Sequence, residues 1–471
     1  MSEYGIRFTL MATATINTAT WAGIATSPQL KLRTHSLARP RGAFLAVELM
    51  LLALGLLQAA WGGNSLGTLI GMVPCALFYH VSNLDRSIVS SKPSQFWIDV
   101  LQSVVLGFLA SAVLIYAFRG LVKRVDITLM SLLLIGLLPV FLRLSLRHLV
   151  NRGKFVEDVL IVGTGDLPGK LHRALGRGLI RSERNAPAPE SLTNRSAAID
   201  LSELDALLAR NQISRVVIAE MNAQSRDRLA AALVHSRLRG LQVNDAVDFY
   251  EEVCGKIWVE ALNPQWFVYT NGFNHSLTGA CIKRCFDVTF ALLLLVLSSP
   301  LLLLTAIAIK CDSEGPVLFR QVRVGLYGKT FVIYKFRSMR HDAELISGPA
   351  WATECDKRVT RVGRILRGFR LDEIPQALNV LKGDMSIVGP RPERPTFVDQ
   401  LEREIPFYGL RHYLKPGITG WAQVMFRYGA SVEDSYEKLQ YDFYYAKHNS
   451  LHCDAAILVK TLRIVLLGRG R

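Results

Sequence analysis

The chain has 471 residues, enough for two or three domains, and half of them are hydrophobic. A mean hydropathy of +0.24, with apolar runs long enough to cross a bilayer, argues against a purely soluble protein. The net charge of +16 suits nucleic acid, an anionic membrane face or phosphorylated substrates. Because no nucleic-acid-binding motif accompanies the charge, we expect a membrane and phosphorylated substrates as partners, and no nucleic acid.

The cysteines and the first forty residues bear on the cellular compartment. Seven cysteines are scattered in an odd number and without disulfide-like spacing, which predicts a reducing environment. Cys281 and Cys285 have helical spacing, but no further Cys or His pair completes a metal site beside them. Most basic residues of the first forty follow the weakly apolar part, so no cleavable signal peptide is expected.

Residues 1–42 are predicted to form a leader, and residues 43–150 an α-helical N-terminal bundle of four transmembrane helices. The apolar stretches of this bundle lie at residues 43–61, 65–81, 96–118 and 127–142. The second is short and contains Pro74. Basic residues before the first stretch and after the fourth place both ends of the bundle in the cytoplasm. Arg119, Lys123 and Arg124, between the third and fourth stretches, argue against that topology.

Residues 151–275 are predicted to form a Rossmann-like α/β domain. The strand-like runs DVLIVG and SRVVIA alternate with helical patterns, as in a parallel sheet. The first run leads into Gly163 and Gly165, but Pro168 stands where a dinucleotide fingerprint has its third glycine. The polar loop that follows supplies no ribose-binding acid. We therefore favour a regulatory or structural role, with a dehydrogenase or dehydratase activity as the alternative.

The apolar run at residues 283–310 is predicted to form a re-entrant membrane helix. It is long enough to cross a bilayer, but Ser298, Ser299 and Pro300 interrupt it, and basic residues flank both of its ends. A hairpin that enters and leaves one leaflet keeps both flanks in the cytoplasm. The serines can satisfy the backbone groups that the proline frees. A single kinked span is the alternative.

Residues 276–471 are predicted to form an α/β catalytic domain centred on Asp372 and Glu373. The pair lies where a helix begins, because Pro375 is tolerated only in a first turn and apolar residues recur at helical spacing around it. A helix N-terminus favours phosphate and keeps a carboxylate ionised, so Asp372 is a candidate nucleophile. An acidic pair at a helix start is by itself most often a cap. Together with flanking arginines, it indicates phosphoryl chemistry with a metal ion.

Further basic residues are candidates for binding phosphate. A strand predicted at residues 328–339 places Lys335 and Arg337 on one face, although an edge strand with solvated charges has the same pattern. Arg367 and Arg370 lie just before the acidic pair, in a basic stripe whose earlier members, Arg361 and Arg364, are expected to be solvated or to face lipid headgroups. Arg391, between two prolines in the stiff turn GPRP, is pushed to an extended conformation.

The segment RLDEIPQALNVLKGDMSIVGPRP, at residues 370–392, closely resembles the catalytic core of the bacterial sugar transferases. These are the monotopic phosphoglycosyl transferases that start exopolysaccharide, capsule and O-antigen assembly. The motifs KFRSM and KPGITGW match the same family, and residues 251–267 resemble the connector of its large, multi-span exopolysaccharide branch. The resemblance implies that Asp372 and Glu373 are catalytic and hold Mg²⁺. It also implies that five residues bind substrate: Lys335, Arg337, Arg367, Pro390 and Arg391.

The resemblance further implies a reaction in the bacterial inner membrane, with the catalytic domain of a multi-pass protein in the cytoplasm. Asp372 attacks the sugar-linked phosphorus of a UDP-sugar, UMP leaves, and undecaprenyl phosphate takes the sugar phosphate from the aspartyl intermediate. Glucose 1-phosphate is preferred over galactose 1-phosphate as the transferred group. The choice between metal ligand and base for Glu373 is left open, as is a homo-oligomeric state. The alternative function is a non-catalytic membrane scaffold or nucleotide sensor for polysaccharide export.

Overall fold

The computed structural model describes residues 30–35, 93–117, 156–163, 215–219, 223–273, 276–340, 358–426 and 431–466, with several isolated positions. The chain divides into two compact units. The first comprises Met1–Thr34 and Glu157–Ala246, and the second comprises His35–Val156 and Val247–Arg471.

The first unit contains a four-stranded sheet in the order β1-β2-β3-β4. Its elements are β1 (Leu30–His35), β2 (Val156–Gly163), β3 (Arg215–Ala219), α2 (Ala223–Leu238) and β4 (Gln242–Asp245). β2 pairs in parallel with β3, and β3 with β4.

The described strands of this sheet agree with the sequence pattern. Val159, Ile161 and Val216 are fully buried, as expected for the apolar runs of a parallel sheet covered on both faces. Two points differ from the prediction or lie beyond it. β1 falls inside the segment predicted as a leader, and the glycine-containing loop after Gly163 lies outside the described residues, so the Rossmann-like assignment stays a prediction.

Helix α1 (Pro93–Ala117) coincides with the third predicted membrane span. Its exposed apolar side chains recur at helical spacing along one stripe, formed by Leu101, Val105, Leu109, Val113 and Tyr116. The first and second predicted spans, and most of the fourth, lie outside the described residues. The four-helix bundle therefore stays a prediction.

The second unit holds an α/β catalytic domain. Two small sheets form its framework, an antiparallel pair β5 and β6 and a parallel pair β7 and β8. Its elements are α3 (Ala246–Cys254), α4 (Pro264–Tyr269), α5 (Leu277–Asp312), β5 (Leu318–Val324), β6 (Thr330–Phe336), α6 (Arg361–Gly368), α7 (Ala377–Lys382), β7 (Ser386–Val388), α8 (Pro395–Glu404), β8 (Gly417–Thr419), α9 (Trp421–Met425), α10 (Val432–Lys447) and α11 (Leu451–Leu466). Short 3₁₀ turns occupy Val259–Ala261, Leu326–Gly328, Leu371–Gln376 and Tyr408–Tyr413.

Within the described part of the chain, α5 is the one helix long and apolar enough to cross a membrane. It extends beyond the predicted bounds of 283–310 and is continuous through Pro300, so the interruption predicted there is not a break in helical structure. The Ser299 hydroxyl donates to the carbonyl of Val296 at 2.8 Å. That carbonyl lies four residues before Pro300, which has no N–H to offer it. The prediction that a serine satisfies a freed backbone group is confirmed.

Residues 247–273 pack on the catalytic domain. They include the predicted connector at residues 251–267, and the name connector is used below for the whole range 247–273. Val247, Ile257, Val259 and Leu262 are buried in one apolar cluster with side chains from α8 and α10. The Ile257 N–H also donates to the carbonyl of Gln440 at 3.0 Å. The predicted boundary followed residue 275, whereas the segment of the second compact unit that holds the catalytic domain begins at Val247. Apolar contacts distant in sequence decide this boundary, and local patterning does not reveal them.

Candidate active site

The two acidic residues lie at the start of a helical segment, as predicted. Asp372 and Glu373 occupy the first turn of the 3₁₀ segment Leu371–Gln376, which leads directly into α7. Pro375 is accommodated in this turn because the first residues of a helix need no N–H donor. Arg370 precedes the turn in the left-handed region, at φ 53°. A non-glycine residue there is strained, and such strain collects at functional sites.

The segment that carries the acids is tied to strand β6 by Asn379, which is completely buried. Its side-chain amide donates to the carbonyl of Val332 at 2.7 Å, and its oxygen accepts from the N–H of Tyr334 at 3.0 Å. Both partners lie on the strand that also carries Lys335. Asn379 therefore aligns the acidic turn with the lysine.

The opposite end of α7 is held by the long apolar helix α5. The guanidinium of Arg284, on α5, donates to the last carbonyls of α7, those of Val380 and Leu381, at 2.6 and 2.9 Å. Gly383 then ends the helix in the left-handed region, at φ 96°. The acidic turn is thus fixed on one side by a strand and on the other by α5.

The two carboxylates have different environments. Glu373 Oε1 accepts from Lys335 Nζ at 3.1 Å and from Arg391 Nη1 at 3.0 Å. The side chain of Asp372, 9% exposed, makes no hydrogen bond or ion pair with any residue that the structure describes. One carboxylate is therefore held by two cations, and its neighbour is available to a ligand.

The electrostatics follow from these environments. Burial, and next the charge of Glu373, raise the pKa of Asp372 to about 6. Burial therefore outweighs any effect of the helix terminus on this carboxylate. Asp372 is still mostly deprotonated above neutral pH, as a nucleophile requires. Burial by itself would raise the pKa of Glu373, but Lys335 and Arg391 hold it well below its usual range.

The cluster carries an excess of positive charge. The Coulombic neighbours of Asp372, Glu373 and Lys335 include five cationic side chains, those of Lys335, Arg323, Arg367, Arg370 and Arg391. The described carboxylates of this cluster are three: Asp372, Glu373 and Glu393, the last of which pairs with Arg323 at 3.6 Å. Burial of unbalanced charge is unfavourable unless a counter-charge arrives. An anion with two or more negative charges, such as a diphosphate, supplies it.

Arg337 lies apart from this cluster. Strand β6 ends at Phe336, so the alternation that was expected to place Arg337 beside Lys335 no longer applies. The guanidinium instead donates from Nη2 to the carbonyl and hydroxyl oxygens of Ser313, at 2.7 and 3.0 Å. In this structure Arg337 secures the residue that follows α5, and its predicted contact with substrate has no support from the geometry.

The turn that carries Pro390 and Arg391 has every carbonyl from residue 390 to 393 hydrogen-bonded. Pro390 accepts from the N–H of Gly417 and Glu393 from the N–H of Val324, both at 2.9 Å. The carbonyls of Arg391 and Pro392 accept from arginine side chains instead. Pro390 therefore serves by shaping the turn, and no donor of its own is available for a substrate.

Close backbone approach explains the glycines around this turn. A Cβ on Gly389 would lie 2.2 Å from the carbonyl oxygen of Lys415, and one on Gly420 would lie 2.2 Å from the carbonyl oxygen of Gly389. The motif KPGITGW thus packs its backbone directly against the GPRP turn. Its glycines are required by this packing, whatever the ligand.

Sequence reasoning did not assign roles to several residues that shape this site. Arg323, Asn379, Arg411 and Asp442 all support it, and Arg370 was noted only as a neighbour of the acids. Their contacts cross long stretches of sequence, and Arg370 is marked by a backbone angle. The sequence contains one hint of Arg323 and Arg411. The stiff turn GPRP is not part of a regular strand or helix, so its carbonyls need hydrogen-bond donors from elsewhere in the chain.

The acidic pair was also predicted to hold Mg²⁺. Among the described residues, no group of three or more His, Cys, Asp and Glu side chains could hold a metal ion. Mg²⁺ needs only one or two carboxylates when substrate phosphates and water complete its coordination. The unpartnered carboxylate of Asp372 fits that donor set, and Glu373 has one oxygen already shared by two cations.

Comparison with known proteins gives a consistent result. Residues 278–468 match the family described as Bacterial sugar transferase. The chain is 34% identical over 344 residues to the UDP-glucose:undecaprenyl-phosphate glucose-1-phosphate transferase of Xanthomonas campestris pv. campestris, a match that covers 69% of this chain and 70% of that protein.

Two further relatives match a shorter part of the chain. The UDP-N-acetylgalactosamine-undecaprenyl-phosphate N-acetylgalactosaminephosphotransferase of Aeromonas hydrophila is 53% identical over 191 residues, which are 41% of this chain and 45% of that protein. The UDP-glucose:undecaprenyl-phosphate glucose-1-phosphate transferase of Caulobacter vibrioides is 47% identical over 186 residues, 39% of this chain and 69% of that protein. The match thus spans less than half of the Aeromonas relative.

Proposed function

The chain belongs to the bacterial sugar transferase family, and on that premise we propose that it transfers a hexose 1-phosphate from a UDP-sugar to undecaprenyl phosphate, with release of UMP. The observation that carries the proposal is the asymmetric acidic pair. Asp372 has no partner among the described residues, and it lies beside a cluster of cations that its neighbour Glu373 organises. The product starts the assembly of an exopolysaccharide.

The first half-reaction uses Asp372 as the nucleophile. An oxygen of its carboxylate attacks the sugar-linked phosphorus of the UDP-sugar, the bond to the bridging oxygen breaks, and UMP leaves with that oxygen. An aspartyl phosphosugar remains. Lys335, Arg367, Arg370 and Arg391 bind the phosphate oxygens and stabilise the charge that develops on UMP. Mg²⁺, which Asp372 and Glu373 would hold together with the diphosphate, neutralises phosphate charge when bound.

In the second half-reaction an oxygen of undecaprenyl phosphate attacks the same phosphorus. The bond to Asp372 breaks, its carboxylate is regenerated, and the lipid carries a diphosphate-linked sugar. Because both steps need a deprotonated Asp372, its pKa of about 6 is compatible with turnover at neutral pH. In this proposal Glu373 acts as a fixed anion that orients Lys335 and Arg391, in preference to acting as a base.

The second substrate is a lipid, and the contacts of α5 support a re-entrant membrane helix in the inner membrane. Its N-terminal part packs on the catalytic domain as far as Leu295, and packing resumes at Leu302. The six residues between them span about 9 Å of helix, whereas a bilayer core is about 30 Å thick. Since both flanks contact one domain, α5 enters and leaves on one side, which we take to be the cytoplasmic side.

The transferred sugar has two candidates. Glucose 1-phosphate is favoured, because the Xanthomonas relative that matches 69% of this chain is named for UDP-glucose. N-acetylgalactosamine 1-phosphate is the second candidate, because the chain is 53% identical over 191 residues to the Aeromonas relative, which is named for UDP-N-acetylgalactosamine. Galactose 1-phosphate, the alternative expected from the sequence, appears in the name of neither relative.

The test is release of UMP by the purified full-length protein with Mg²⁺, undecaprenyl phosphate and a panel of UDP-sugars. The panel contains UDP-glucose, UDP-galactose, UDP-N-acetylglucosamine and UDP-N-acetylgalactosamine, and Asp372→Asn is assayed in parallel. Release with one sugar, abolished in the variant, would establish the reaction and identify the donor. Folded protein that releases UMP from none of the four would refute the proposal and favour the scaffold hypothesis.

A further inference from the structure

Arg391 needs a fixed backbone if its guanidinium is to meet both Glu373 and a phosphate. The residue lies in an irregular segment between Pro390 and Pro392, so no strand or helix holds it. Neither proline has an N–H, so the segment has few backbone donors and its carbonyls are important points of attachment. The side chain of Arg391 is partly exposed, at 35%, which leaves it able to swing away from Glu373.

The anchor of Arg391 is a second arginine. Arg411, in the 3₁₀ turn Tyr408–Tyr413, donates from Nη2 to the carbonyl of Arg391 at 3.1 Å. All three nitrogens of this guanidinium are hydrogen-bonded. Nε and Nη2 donate to Asp442 Oδ2 at 3.1 and 2.8 Å, and Nη1 donates to the hydroxyl oxygen of Tyr408 at 2.8 Å. The guanidinium is thereby locked in one orientation.

Arg411 and Asp442 are both buried, with 6% and 3% of their side chains exposed. A substrate therefore has no access to them, and any effect on the reaction must pass through other residues. A buried ion pair is an expensive way to stabilise a core, because apolar side chains of similar volume are often as stable or more so. Among the residues that the structure describes, the hydrogen bonds of this pair reach the active site at the carbonyl of Arg391.

We propose that Arg411, oriented by Asp442, is a positioning residue that fixes Arg391 in the geometry needed to bind substrate phosphate. The inference rests on the proposed function. It assigns a role in the reaction to a pair that lies outside the acidic motif and contacts no substrate. Residues that orient a functional group in this way typically contribute about 10- to 100-fold to activity.

The test compares Arg411→Lys with the wild-type enzyme, in the full-length protein, with the UDP-sugar that the panel identifies. Lysine keeps the positive charge but cannot bond to Asp442, Tyr408 and Arg391 together. We expect kcat for UMP release to fall about 10- to 100-fold. In an Arg391→Ala background the same change is expected to cost less than about threefold, because the residue through which it acts is already gone.

Two comparisons separate positioning from stability. Asp442→Asn, which preserves shape and weakens the pair, is expected to reproduce the loss of kcat if Arg411→Lys does not fold. Glu251→Gln disrupts another buried ion pair of the same domain, that with Lys447, which does not contact the turn. It is expected to lower the unfolding temperature while leaving kcat within about twofold.

Three results would overturn the inference. The first is an equal loss from Arg411→Lys with and without Arg391, which would show independent effects. The second is a loss of kcat in Glu251→Gln as large as that in Arg411→Lys, which would indicate general destabilisation. The third is inactive wild-type enzyme, which removes the proposed function and this inference with it. The first two results leave the proposed function intact.

Discussion

The active site and the buried ion pairs elsewhere in the catalytic domain differ in how their positive and negative charges are matched. In the active site, Lys335 and Arg391 share one oxygen of Glu373, further arginines surround them, and Asp372 has no partner among the described residues. Elsewhere in the domain, Arg411, which contacts the turn, is matched by Asp442, and Glu251 by Lys447 and His448. Cations exceed acids in the active site. In the part of the domain around Arg411, Asp442, Glu251 and Lys447, called the balanced region below, cations and acids are nearly equal in number.

This difference distinguishes the part of the domain that binds substrate from the part that stabilises the fold. A buried charge with a complete set of hydrogen bonds is satisfied by the fold and has nothing to offer a ligand. A group of cations that outnumbers its acids is stabilised when an anion binds, and the unpartnered carboxylate is free to react. The following predictions test this comparison, beginning with the largest effect.

The asymmetry of the acidic pair predicts unequal losses. Asp372→Asn removes the proposed nucleophile and is expected to lower the rate of UMP release by at least about 10³-fold. Glu373→Gln keeps the shape but releases Lys335 and Arg391, and is expected to cost about 10²-fold. The assay is UMP release under saturating UDP-sugar, with thermal unfolding as the control for folding. Equal losses in the two variants would contradict the division of roles.

The apolar contacts of the connector predict that it is part of the catalytic fold. A chain that starts at residue 276 loses four buried side chains, those of Val247, Ile257, Val259 and Leu262. At about 1.5–3 kcal/mol each, this loss is comparable to the whole stability of a domain. We expect this truncation to aggregate, whereas a chain that starts at residue 246 remains monodisperse in detergent. Size-exclusion chromatography of both decides, and two equally well-behaved proteins would contradict the prediction.

The excess of cations predicts that Lys335 contributes to substrate binding beyond its contact with Glu373. Lys335→Met keeps much of the apolar stem and removes the charge. We expect kcat/KM for the UDP-sugar to fall about 10- to 100-fold, with a weaker dependence on ionic strength, because one phosphate contact is lost. Lys447→Met is the matched control in the balanced region, and its kcat/KM should change by less than about twofold. Equal changes in the two variants would remove the distinction between the regions.

Protonation of His412, next to Arg411 in the balanced region, is expected to lower the stability of the fold. Burial, and next the charge of Arg411, lower the pKa of His412 to about 4. The unfolded chain, with a pKa near 6.5, binds this proton more readily. The contribution to stability is therefore present above about pH 6.5 and is lost as the pH falls towards 4, up to about 3 kcal/mol in total.

Thermal unfolding between pH 7.5 and pH 5 measures this effect. In the wild-type protein the unfolding temperature is expected to fall with pH over this range. In His412→Asn, which cannot take up the proton, the decline should be shallower. Parallel curves for the two proteins would show that His412 does not contribute.

Several features were predictable from the sequence because local rules determine them. The position of Pro375 and the apolar spacing around it mark the start of a helical segment at the acids, and the structure has one there. The apolar run around Pro300 predicted a long helix, and the serine beside that proline satisfies the freed carbonyl. The motif match predicted the family, which the comparisons confirm.

Other features depend on contacts between distant residues and could not be predicted in this way. Strand alternation suggested that Lys335 and Arg337 act together, but the strand ends between them, and Arg337 bonds to Ser313. The connector looked like part of the preceding domain, and its apolar residues pack on α8 and α10. In both cases the deciding partner lies far along the chain.

By itself, the sequence determined where the backbone becomes helical or extended, which segment is apolar enough for a membrane, and which acids and arginines belong to the catalytic motif. These properties depend on residue type and on spacing over a few positions. Only the tertiary structure decided that Glu373 is held by Lys335 and Arg391, that Asp372 is left available with a raised pKa, and that Arg411 anchors the catalytic turn. Burial and long-range hydrogen bonds set these properties, and both arise when the chain folds.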